Sequence, residues 1–560
     1  MKRNILSIFA IGAVLFSSCV KQLDVPQKGV IGQDEFYLTT EDALQARTAM
    51  YEAFVKNLTG IYDSGESAIY TAFPLMLNEA ADDVIAAGEF YGDNDFGAAI
   101  NEFRYDTNNQ VINQVYKRLY ELAYKANLVI DNFSKSDDTA AQQYVAEARA
   151  MRAFCHFYLA VLWGTPPQVD HVLTPTERAP QLESQEALLK WVAEEAKDAA
   201  TKCPDKVDAN SAAIMTKWAA YAIAGKAFIQ MHDYKSAAEC FKAIIDSKKY
   251  ELVAGDKWET MFHANGKDNK EFILQPGKAE NTALGNWSGP IQRGEWMMTQ
   301  FWNWRTDHLA SWPNIQGIDG WGGGAIRGSF AEDWDEYEHD SYRRKGTFFT
   351  PDEWIHEAGW KDQSGDEVRG ERCDTSVFVG ISGGTKGAAY LYGQDRYMYR
   401  KLIAWKEDVP KGNWGFRATI LCRYADVLLL YAECAANGAG DAALGKQYLN
   451  DVQKRANAPV TDLSIDNVKR ERQYEFWGEG LRWIDMCRYK EFDGVKDNGK
   501  TVPVTYDAFW TKGESTHRLY SEPSTPNSGT VGFQAGKHEL FPIPYCETSL
   551  NPDIKQNPGW

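Results

Sequence analysis

The fold is decided by one stretch, Tyr221-Ala222-Ile223-Ala224-Gly225-Lys226-Ala227-Phe228, which is followed by Ala237-Ala238-Glu239-Cys240-Phe241. Apolar and small residues recur here at the spacing of one helix face, so the stretch predicts two helices. Small residues such as Gly225 and Ala237 let the helices approach closely, and the aromatic residues fill the space between turns. We expect the turn at His232-Asp233-Tyr234. One such pair cannot bury its apolar face alone, so several pairs should stack.

The spacing, including the twelve positions from Gly225 to Ala237, is that of a tetratricopeptide (TPR) helix pair. Residues 425–456 form a looser second pair, with an insertion at Asn437-Gly438-Ala439-Gly440. Further helices are predicted over 40–57, 111–133, 139–163 and 184–202. The predicted fold class is mainly α, a TPR-like helix-pair scaffold with an irregular, loop-rich part packed on it.

The mature chain, residues 19–560, is expected to form a single body with three regions. The helical scaffold lies mainly in 40–264 and 416–490. Between about 265 and 415 helical periodicity disappears, and Gly, Trp, Asn and Asp dominate. A long irregular stretch with this much Trp is typical of a functional loop region rather than of disorder. Residues 491–560 form a C-terminal segment.

The composition excludes two classes of protein. The chain has 560 residues and a formal net charge of −18, with 60 Lys and Arg against 78 Asp and Glu. A general nucleic-acid-binding protein neutralises phosphates with Lys and Arg, and a polybasic membrane-surface protein needs the same side chains. We expect neither. The chain also holds 19 Trp, more indole than packing usually requires in an acidic protein.

The first residues resemble a bacterial lipoprotein signal peptide. A basic start at residues 2–3 precedes an apolar stretch over 5–16, which is too short to cross a bilayer as a helix. Two serines then precede Cys19, the position at which such signals are cleaved and lipid is attached to the sulfur. Phe16 stands where Leu is usual. We predict a signal peptide over 1–18 and lipidation of Cys19; the alternative is an ordinary secretory peptide with an incidental Cys.

Within the loop-rich part, residues 287–321 hold six Trp residues, interleaved with Asn, Gln and Arg. Flat indole rings stack on the C–H faces of sugar rings, and planar polar side chains bind hydroxyl groups. A second candidate stretch covers residues 89–95. The alternative for each single aromatic residue is a side chain folded back onto the scaffold. The predicted ligand-binding residues are Tyr91, Trp287, Trp296, Trp302, Trp304, Trp312 and Trp321.

No motif predicts catalysis, a metal site or a cofactor. The glycine-rich stretches 322–328 and 383–387 lack the P-loop pattern. Asp82 and Asp83 alone provide too few ligands for a calcium site. The nine His residues give no Ser-His-Asp order and no H-E-x-x-H, and the cysteines form no C-x-x-C. Disulfide pairing and a bound calcium ion stay open.

Two sets of charged residues could be mistaken for catalytic carboxylate groups. They are Glu479, Arg482, Asp485 and Arg488 in one set, and Arg423, Asp426 and Glu433 in the other. The first set steps by three residues, which predicts a ladder on one face of a helix over 471–490. Because both sets fall in predicted helices rather than loops, we interpret them as scaffold residues, which would form orienting networks if buried.

Several segments match one set of motifs. They are Glu147-Ala148-Arg149-Ala150-Met151-Arg152-Ala153-Phe154 with Trp163-Gly164-Thr165-Pro166-Pro167, Arg423-Tyr424-Ala425-Asp426-Val427-Leu428-Leu429-Leu430-Tyr431-Ala432-Glu433, the charged residues of 471–489, and Gln556-Asn557-Pro558-Gly559-Trp560. Together they resemble the SusD/RagB family of Bacteroidetes outer-membrane nutrient-binding lipoproteins. The family typically ends in Tyr where this chain has Trp560, and residues 265–415 match least.

The resemblance implies a TPR-containing scaffold whose loop-rich part carries the ligand-binding face. It implies a lipid-anchored protein of the outer membrane, exposed at the cell surface, which caps a SusC-like TonB-dependent transporter. It also implies that the protein binds a glycan, or sometimes another nutrient, during starch or polysaccharide utilization, without cleaving it. The identity of the glycan, the oligomeric state and the transporter interface stay open.

Three functions are carried forward as hypotheses. The first is capture of an oligosaccharide or polysaccharide by aromatic stacking and its delivery to the transporter, without catalysis. The second is a secreted glycoside hydrolase, which needs two carboxyl groups about 5–9.5 Å apart; Glu295, Asp307 and Asp319 lie near the Trp residues. The third is an adaptor that binds protein partners through its TPR surfaces.

Overall fold

The computed structural model describes most of the helical scaffold and parts of the loop-rich region. The described residues are 36–59, 72–86, 95–208, 211–263, 266, 269–276, 301–303, 323–350, 353, 397–405, 408, 419–499, 501–506, 513–518 and 531–560.

The N-terminal part of the chain is built from helices. They are α1 (Thr40–Thr59), α2 (Ala72–Glu79), α3 (Asp95–Asn101), α4 (Gln110–Phe133), α5 (Thr139–Trp163), α6 (Gln185–Ala199), α7 (Lys217–Gln230) and α8 (Tyr234–Asp246). The helices predicted over 40–57, 111–133, 139–163 and 184–202 are confirmed to within a few residues, as is the pair over 212–248.

The later helices differ from the prediction in two places. They are α9 (Gly328–Glu338), α10 (Tyr342–Thr347), α11 (Tyr424–Ala436), α12 (Ala442–Ala456), α13 (Ile465–Glu475), α14 (Arg482–Tyr489) and α15 (Tyr545–Leu550). Because α9 and α10 lie between 265 and 415, the expected loss of helical structure is wrong there. The single helix over 471–490 is also wrong, since Gly478 and Gly480 adopt φ angles of 74° and 77° and turn the chain between α13 and α14.

The long helices form one continuous stack. Helix α1 packs on α4, and from α4 to α8 each helix packs on the next along the chain. Helix α8 then packs on α11, and α11 on α12, although all of 247–423 lies between α8 and α11 in sequence. The loop-rich part is therefore an insertion between two neighbouring helices of a TPR-like stack. The mainly α fold class is confirmed, and the looser second pair corresponds to α11 and α12.

The close approach of α7 and α8 depends on Gly225. A Cβ atom built at Gly225 would lie 2.6 Å from Cε1 of the buried Phe241 ring. The turn between the helices falls where the sequence predicts it. His232 has a φ of 58°, and the Asp233 carboxylate caps α8 by accepting a hydrogen bond from Ser236 N at 3.1 Å.

The described residues form four pairs of short antiparallel strands. They are β1 (Val84–Ala86), β2 (Phe272–Leu274), β3 (Gly324–Ile326), β4 (Phe348–Phe349), β5 (Met398–Tyr399), β6 (Cys422–Arg423), β7 (Thr501–Tyr506) and β8 (Gly513–Arg518). Strand β1 pairs with β3, β2 with β6, β4 with β5, and β7 with β8. The β2–β6 pair places Phe272 opposite Arg423, immediately before α11.

The C-terminal segment closes against the end of α5. Trp163 Nε1 donates a hydrogen bond to Pro542 O at 3.0 Å, and Phe541 N donates to Leu162 O at 2.8 Å. Asn557 Nδ2 donates to the carbonyl oxygens of Trp163 and Phe541 at 3.0 and 2.7 Å. Two motifs from distant parts of the sequence therefore form one contact.

The cysteines of the described residues are free thiols. Cys155, Cys203, Cys240, Cys422 and Cys434 are buried, Cys487 is partly buried, and Cys546 is exposed. Most of them therefore act as small core residues. Cys373 lies outside the described residues.

Within the described ranges, no helix combines the length and the apolar character that crossing a bilayer requires. The predicted signal peptide over 1–18 and Cys19 lie outside the described residues, so both stay predictions.

We expect Gly225→Ala to lower the free energy of unfolding by about 1–3 kcal/mol, because the added methyl group overlaps the Phe241 ring. Combined with Phe241→Leu, which makes room, the loss should be smaller than the sum of the two single losses. Urea unfolding followed by circular dichroism measures both. Lys235→Ala, exposed on α8, is the control and should stay within about 0.5 kcal/mol of wild type. A gain in stability from Gly225→Ala, as helix propensity alone would give, contradicts the assigned contact.

Candidate ligand-binding site

One end of each of the two candidate aromatic stretches adjoins the same pair of strands. Strands β1 and β3 are antiparallel, and their register pairs Val84 with Ile326 and Ala86 with Gly324. The stretch 87–94, which contains Tyr91, begins at the end of β1. The stretch 304–322, which contains Trp304, Trp312 and Trp321, ends just before Gly323. The sheet therefore fixes one end of each stretch beside the other.

The described ends of the stretch 304–322 are joined directly. Gly323 N donates a hydrogen bond to Phe301 O at 2.8 Å. A Cβ atom at Gly323 would lie 2.3 Å from the Phe301 ring, and one at Gly324 would lie 2.1 Å from the Trp302 ring. Only glycine fits at both positions, so the glycine-rich stretch that begins at residue 322 serves this close approach of backbone to aromatic rings.

Trp302 is a core residue rather than an exposed platform, so its prediction as a ligand-binding residue is wrong in this structure. The side chain is fully buried, and its ring contacts Phe301 and Tyr399 at centroid distances of 5.4 and 6.0 Å. The Tyr399 hydroxyl donates to Trp302 O. The physical reason is the adjacent Gly324, whose missing side chain leaves room for the indole to turn inward.

The other predicted ligand-binding residues are Tyr91, Trp287, Trp296, Trp304, Trp312 and Trp321, and all lie outside the described residues. The same is true of Glu295, Asp307 and Asp319, the acidic residues that kept a hydrolase open. These positions stay predictions.

One partly exposed Trp of the insertion was missed. The Trp405 ring stacks on the buried His263 ring with a centroid distance of 3.8 Å and an interplanar angle of 23°. The preceding residue, Ala404, donates from its backbone N to Asn303 Oδ1 at 2.8 Å, which places this edge next to the start of the stretch 304–322. The sequence gives no signal for this arrangement, because the contact partners are far apart along the chain.

A buried ion-pair cluster is centred on Arg423. Its Nη1 contacts Glu271 Oε1 at 2.7 Å and Glu475 Oε1 at 2.5 Å, and its Nε contacts Glu479 Oε2 at 2.9 Å. At most 6% of any of these four side chains is exposed. One guanidinium group therefore joins three carboxylates inside the protein.

Two further cations share these carboxylates. Arg455 Nη1 contacts Glu271 Oε2 at 3.0 Å, and its Nη2 contacts Glu475. Lys401 Nζ contacts Glu479 Oε1 at 2.7 Å. Burial lowers the pKa of Lys401 to about 8. Each carboxylate around Arg423 therefore has a second cationic partner.

Arg343 extends the cluster to helices α9 and α10. Its Nη2 contacts Glu338 Oε1 at 2.7 Å, and its Nη1 contacts Glu471 and, at 3.2 Å, Glu475 Oε2. The whole Arg423 cluster consists of Glu271, Glu338, Arg343, Lys401, Arg423, Arg455, Glu471, Glu475 and Glu479. Because Glu271, Glu338, Arg343 and Lys401 belong to the insertion, the cluster holds the insertion on the stack.

A second buried set ties helices of the stack to one another. Its members are Lys226, Asp426, Glu433, Arg472, Asp485 and Arg488. Arg472 on α13 contacts Asp426 on α11 at 2.7 Å and Asp485 on α14 at 2.8 Å. The scaffold interpretation of these charged residues is confirmed, but they join several helices instead of forming a ladder on one.

Two of the buried carboxylates, those of Glu475 and Asp426, cannot serve as general acids. Burial alone would raise the pKa of Glu475, but Arg455, Arg423 and Arg343 hold it well below its ordinary value. A carboxyl group that stays ionised at neutral pH has no proton to donate. Likewise, burial would raise the pKa of Asp426, and Lys226 and Arg472 lower it to about 2.

Asp82 and Asp83, which precede β1, differ in their partners. Arg482 Nε and Nη2 both donate to the Asp82 carboxylate, each at 2.7 Å, so this carboxylate belongs to an ion pair. Asp83 is 2% exposed, and its Oδ2 has no hydrogen-bond partner among the described residues. Burial, and then repulsion from Asp82, raise the pKa of Asp83 to about 7. Asp83 thus places an ionisable group directly before β1, the strand that leads into the stretch 87–94.

We expect Arg423→Met to lower the free energy of unfolding by about 3–5 kcal/mol, since the substitution leaves three buried carboxylates without their shared partner. Chemical denaturation measures this loss. Lys446→Ala, which removes an exposed ion pair with Asp462, is the matched control and should cost less than about 1 kcal/mol. A loss from Arg423→Met as small as that of the control would show that the cluster does not hold the fold together.

We expect Asp83→Asn to stabilise the protein at pH 8 and to change little at pH 4. The folded protein holds the Asp83 proton more tightly than the unfolded chain does, whose Asp pKa is about 3.9. Ionisation of Asp83 therefore lowers the stability of the wild type as the pH rises from about 4 to about 7. Unfolding free energies of both proteins across this range measure the effect. If the unfolding free energies of wild type and variant differ by the same amount at every pH, this expectation is contradicted.

Comparison with known protein families gives two matches along this chain. A model described as "SusD family" matches residues 264–560, and one described as "Starch-binding associating with outer membrane" matches residues 39–229. SusD-like protein P25 from Formosa agariphila is 23% identical, covering 96% of this chain and 95% of that protein. A SusD-like protein from Bacteroides ovatus is also 23% identical, covering 100% of this chain and 97% of that protein.

Solved structures share the fold. A laminarin binding SusD-like protein superposes with a TM-score of 0.70 at 20% identity, covering 93% of this chain and 99% of that one. Surface glycan-binding protein A from Bacteroides thetaiotaomicron, in complex with laminarihexaose, superposes with a TM-score of 0.68 at 21% identity, covering 92% and 99%. Since the first family model spans more than half of the sequence, and the helical stack with its insertion agrees with it, the chain belongs to the SusD/RagB family.

Proposed function

We propose that this protein is a non-catalytic glycan-binding lipoprotein of the outer membrane. It captures an oligosaccharide or polysaccharide by aromatic stacking on the loops of its insertion and passes it to a SusC-like TonB-dependent transporter. The observation that carries the proposal is the β1–β3 pair, which joins the ends of the two aromatic stretches at one place.

Chain connectivity supports a shared face. Trp304 follows Trp302 by two residues, and Trp321 precedes Gly323 by two. Because consecutive Cα atoms are about 3.8 Å apart, Trp321 stays within about 8 Å of Gly323 and Trp304 within about 11 Å of Phe301, the two residues joined by the hydrogen bond. Tyr91, five residues after Ala86, stays within about 19 Å of the same sheet. One extended sugar chain can therefore contact aromatic residues from both stretches.

The electrostatics of the described residues support binding rather than hydrolysis. Retaining and inverting glycosidases need one carboxyl group that can donate a proton beside another that is ionised. The carboxylates of the Arg423 cluster are buried and paired with cations. Their roles are structural, so the geometry offers them no sugar to protonate.

The relatives indicate which glycans to test first. Two structures with this fold are named for laminarin and laminarihexaose, and one matched family model is described as starch-binding. Laminarin and starch therefore form the first probes, and xylan and mannan extend the set to other backbones.

Anchoring and partnership complete the proposal. A lipid on Cys19 holds the mature protein at the membrane, since acyl chains stabilise by about 0.8 kcal/mol per buried CH₂ and several chains give stable attachment. Palmitate labelling of the expressed full chain, and its loss in Cys19→Ala, tests the anchor. Co-purification with the partner transporter tests the delivery step.

We expect residues 20–560 to be retarded in affinity gels that contain one of these polysaccharides. Trp304→Ala and Trp321→Ala should each weaken binding by about 1–3 kcal/mol, roughly 5- to 150-fold in Kd by titration calorimetry. Tyr124→Ala, which removes an exposed aromatic side chain from α4, is the matched control and should leave the Kd unchanged.

Three outcomes would contradict the proposal. Shortened sugars that disappear on substitution of Glu295, Asp307 or Asp319 would indicate a hydrolase. Unchanged glycan affinity in both Trp variants, with loss of a protein partner, would favour an adaptor. No retardation by any of the four polysaccharides would refute glycan binding.

A further inference from the structure

We infer that Trp405 is a further glycan-contacting residue and that His263 and Asp408 are its positioning residues. The inference rests on the proposed function and adds residues that the sequence did not single out. It identifies the ligand chemistry as the C–H face or edge of a sugar ring, which an indole can stack against.

The first argument is the fixed position of the Trp405 ring. Asp408 Oδ2 accepts hydrogen bonds from His263 Nδ1 at 2.6 Å and from Trp405 N at 2.8 Å. Asp408 N in turn donates to Trp405 O at 3.0 Å. His263 and Asp408 are each 1% exposed. The hydrogen bond to Asp408 therefore fixes the His263 ring. The Trp405 indole stacks on this fixed ring.

The second argument is exposure combined with rigidity. Trp405 keeps part of its surface accessible, whereas Trp258, Trp302 and Trp334 of the same region are fully buried. A platform that is already immobilised loses little conformational entropy on binding, so it contributes more to affinity than a mobile side chain does.

The third argument is continuity with the proposed face. Ala404 N donates to Asn303 Oδ1 at 2.8 Å, and Asn303 directly precedes Trp304. Summing the covalent geometry on both sides of this hydrogen bond keeps the Cα atoms of residues 304 and 405 within about 15 Å. The residue before Trp405 is therefore hydrogen-bonded to the residue at which the stretch 304–322 begins.

The chain supplies a matched control on the scaffold. Trp191 is also partly exposed and also contacts a buried histidine, His156, at a centroid distance of 5.0 Å. That pair meets edge to face, at 74°, and lies on α5 and α6, away from the insertion. Trp191→Ala thus removes the same kind of side chain without touching the proposed face.

The experiment measures binding of laminarin, starch, xylan and mannan to residues 20–560 by affinity electrophoresis. The Kd for the best-retained polysaccharide is then determined. We expect Trp405→Ala to weaken it at least about tenfold, Trp405→Phe to weaken it less, and Trp191→Ala to leave it unchanged. Equal affinity of Trp405→Ala and wild type overturns this inference while the proposed function stands. No binding by wild type overturns both.

The positioning role of His263 is tested by a measurement that a general loss of stability would not change. In protein labelled with 5-fluorotryptophan, the ¹⁹F resonance that is lost in Trp405→Phe belongs to Trp405. We expect this resonance to shift on adding the retained polysaccharide, which also tests the contact if Trp405→Ala fails to fold. His263→Ala should broaden or split it and weaken binding, and His263→Phe, which restores a flat ring, should recover most of both. An unshifted resonance refutes the contact, and an unchanged spectrum in His263→Ala refutes the positioning role.

Discussion

The rest of the structure depends on the ion pairs that the buried guanidinium group of Arg423 forms with Glu271, Glu475 and Glu479. Arg423 stands where the insertion returns to the helical stack, on β6 and directly before α11. Moving ions into a protein interior costs several kcal/mol for each ion, so the cluster is favourable only when every partner is in place. Glu271 comes from the insertion, and Glu475 comes from α13. The observed packing of the insertion on the stack brings both to Arg423.

The sequence predicted the scaffold well because helix signals are local. The apolar period, small residues such as Gly225 and capping residues such as Asp233 act within a few positions of one another. It failed where the outcome depends on distant contacts. The break between α13 and α14 uses Gly478 and Gly480, which pack against Leu402 and Leu77 from remote segments. The three-residue spacing of the charged residues continues into α14, so the sequence pattern did not predict the break.

The candidate site was less predictable because an aromatic residue in a loop carries no local sign of its direction. Trp302 and Trp405 both lie in segments rich in Trp, Asn and Gly. Trp302 is nevertheless buried against Gly324, whereas Trp405 keeps an accessible surface. Their difference is set by Gly324 in one case and by His263 in the other. Neither partner is within ten residues of its Trp, so no pattern of spacing encodes the choice.

The separation of roles that we propose, between buried charges that hold the fold and loop aromatics that contact ligand, would let one fold serve different ligands. Structures named for laminarin or other glycans share this fold with TM-scores near 0.7 at about 20% identity. The contacts that define the fold are buried pairs at the ends of the insertion, in β1–β3, β2–β6 and the Arg423 cluster. Loop residues that contact neither those anchors nor the scaffold are free to change without disturbing a buried ion or a helix contact. Specificity can therefore vary with the loops, while the charged motifs that look most chemical in the sequence must stay as they are.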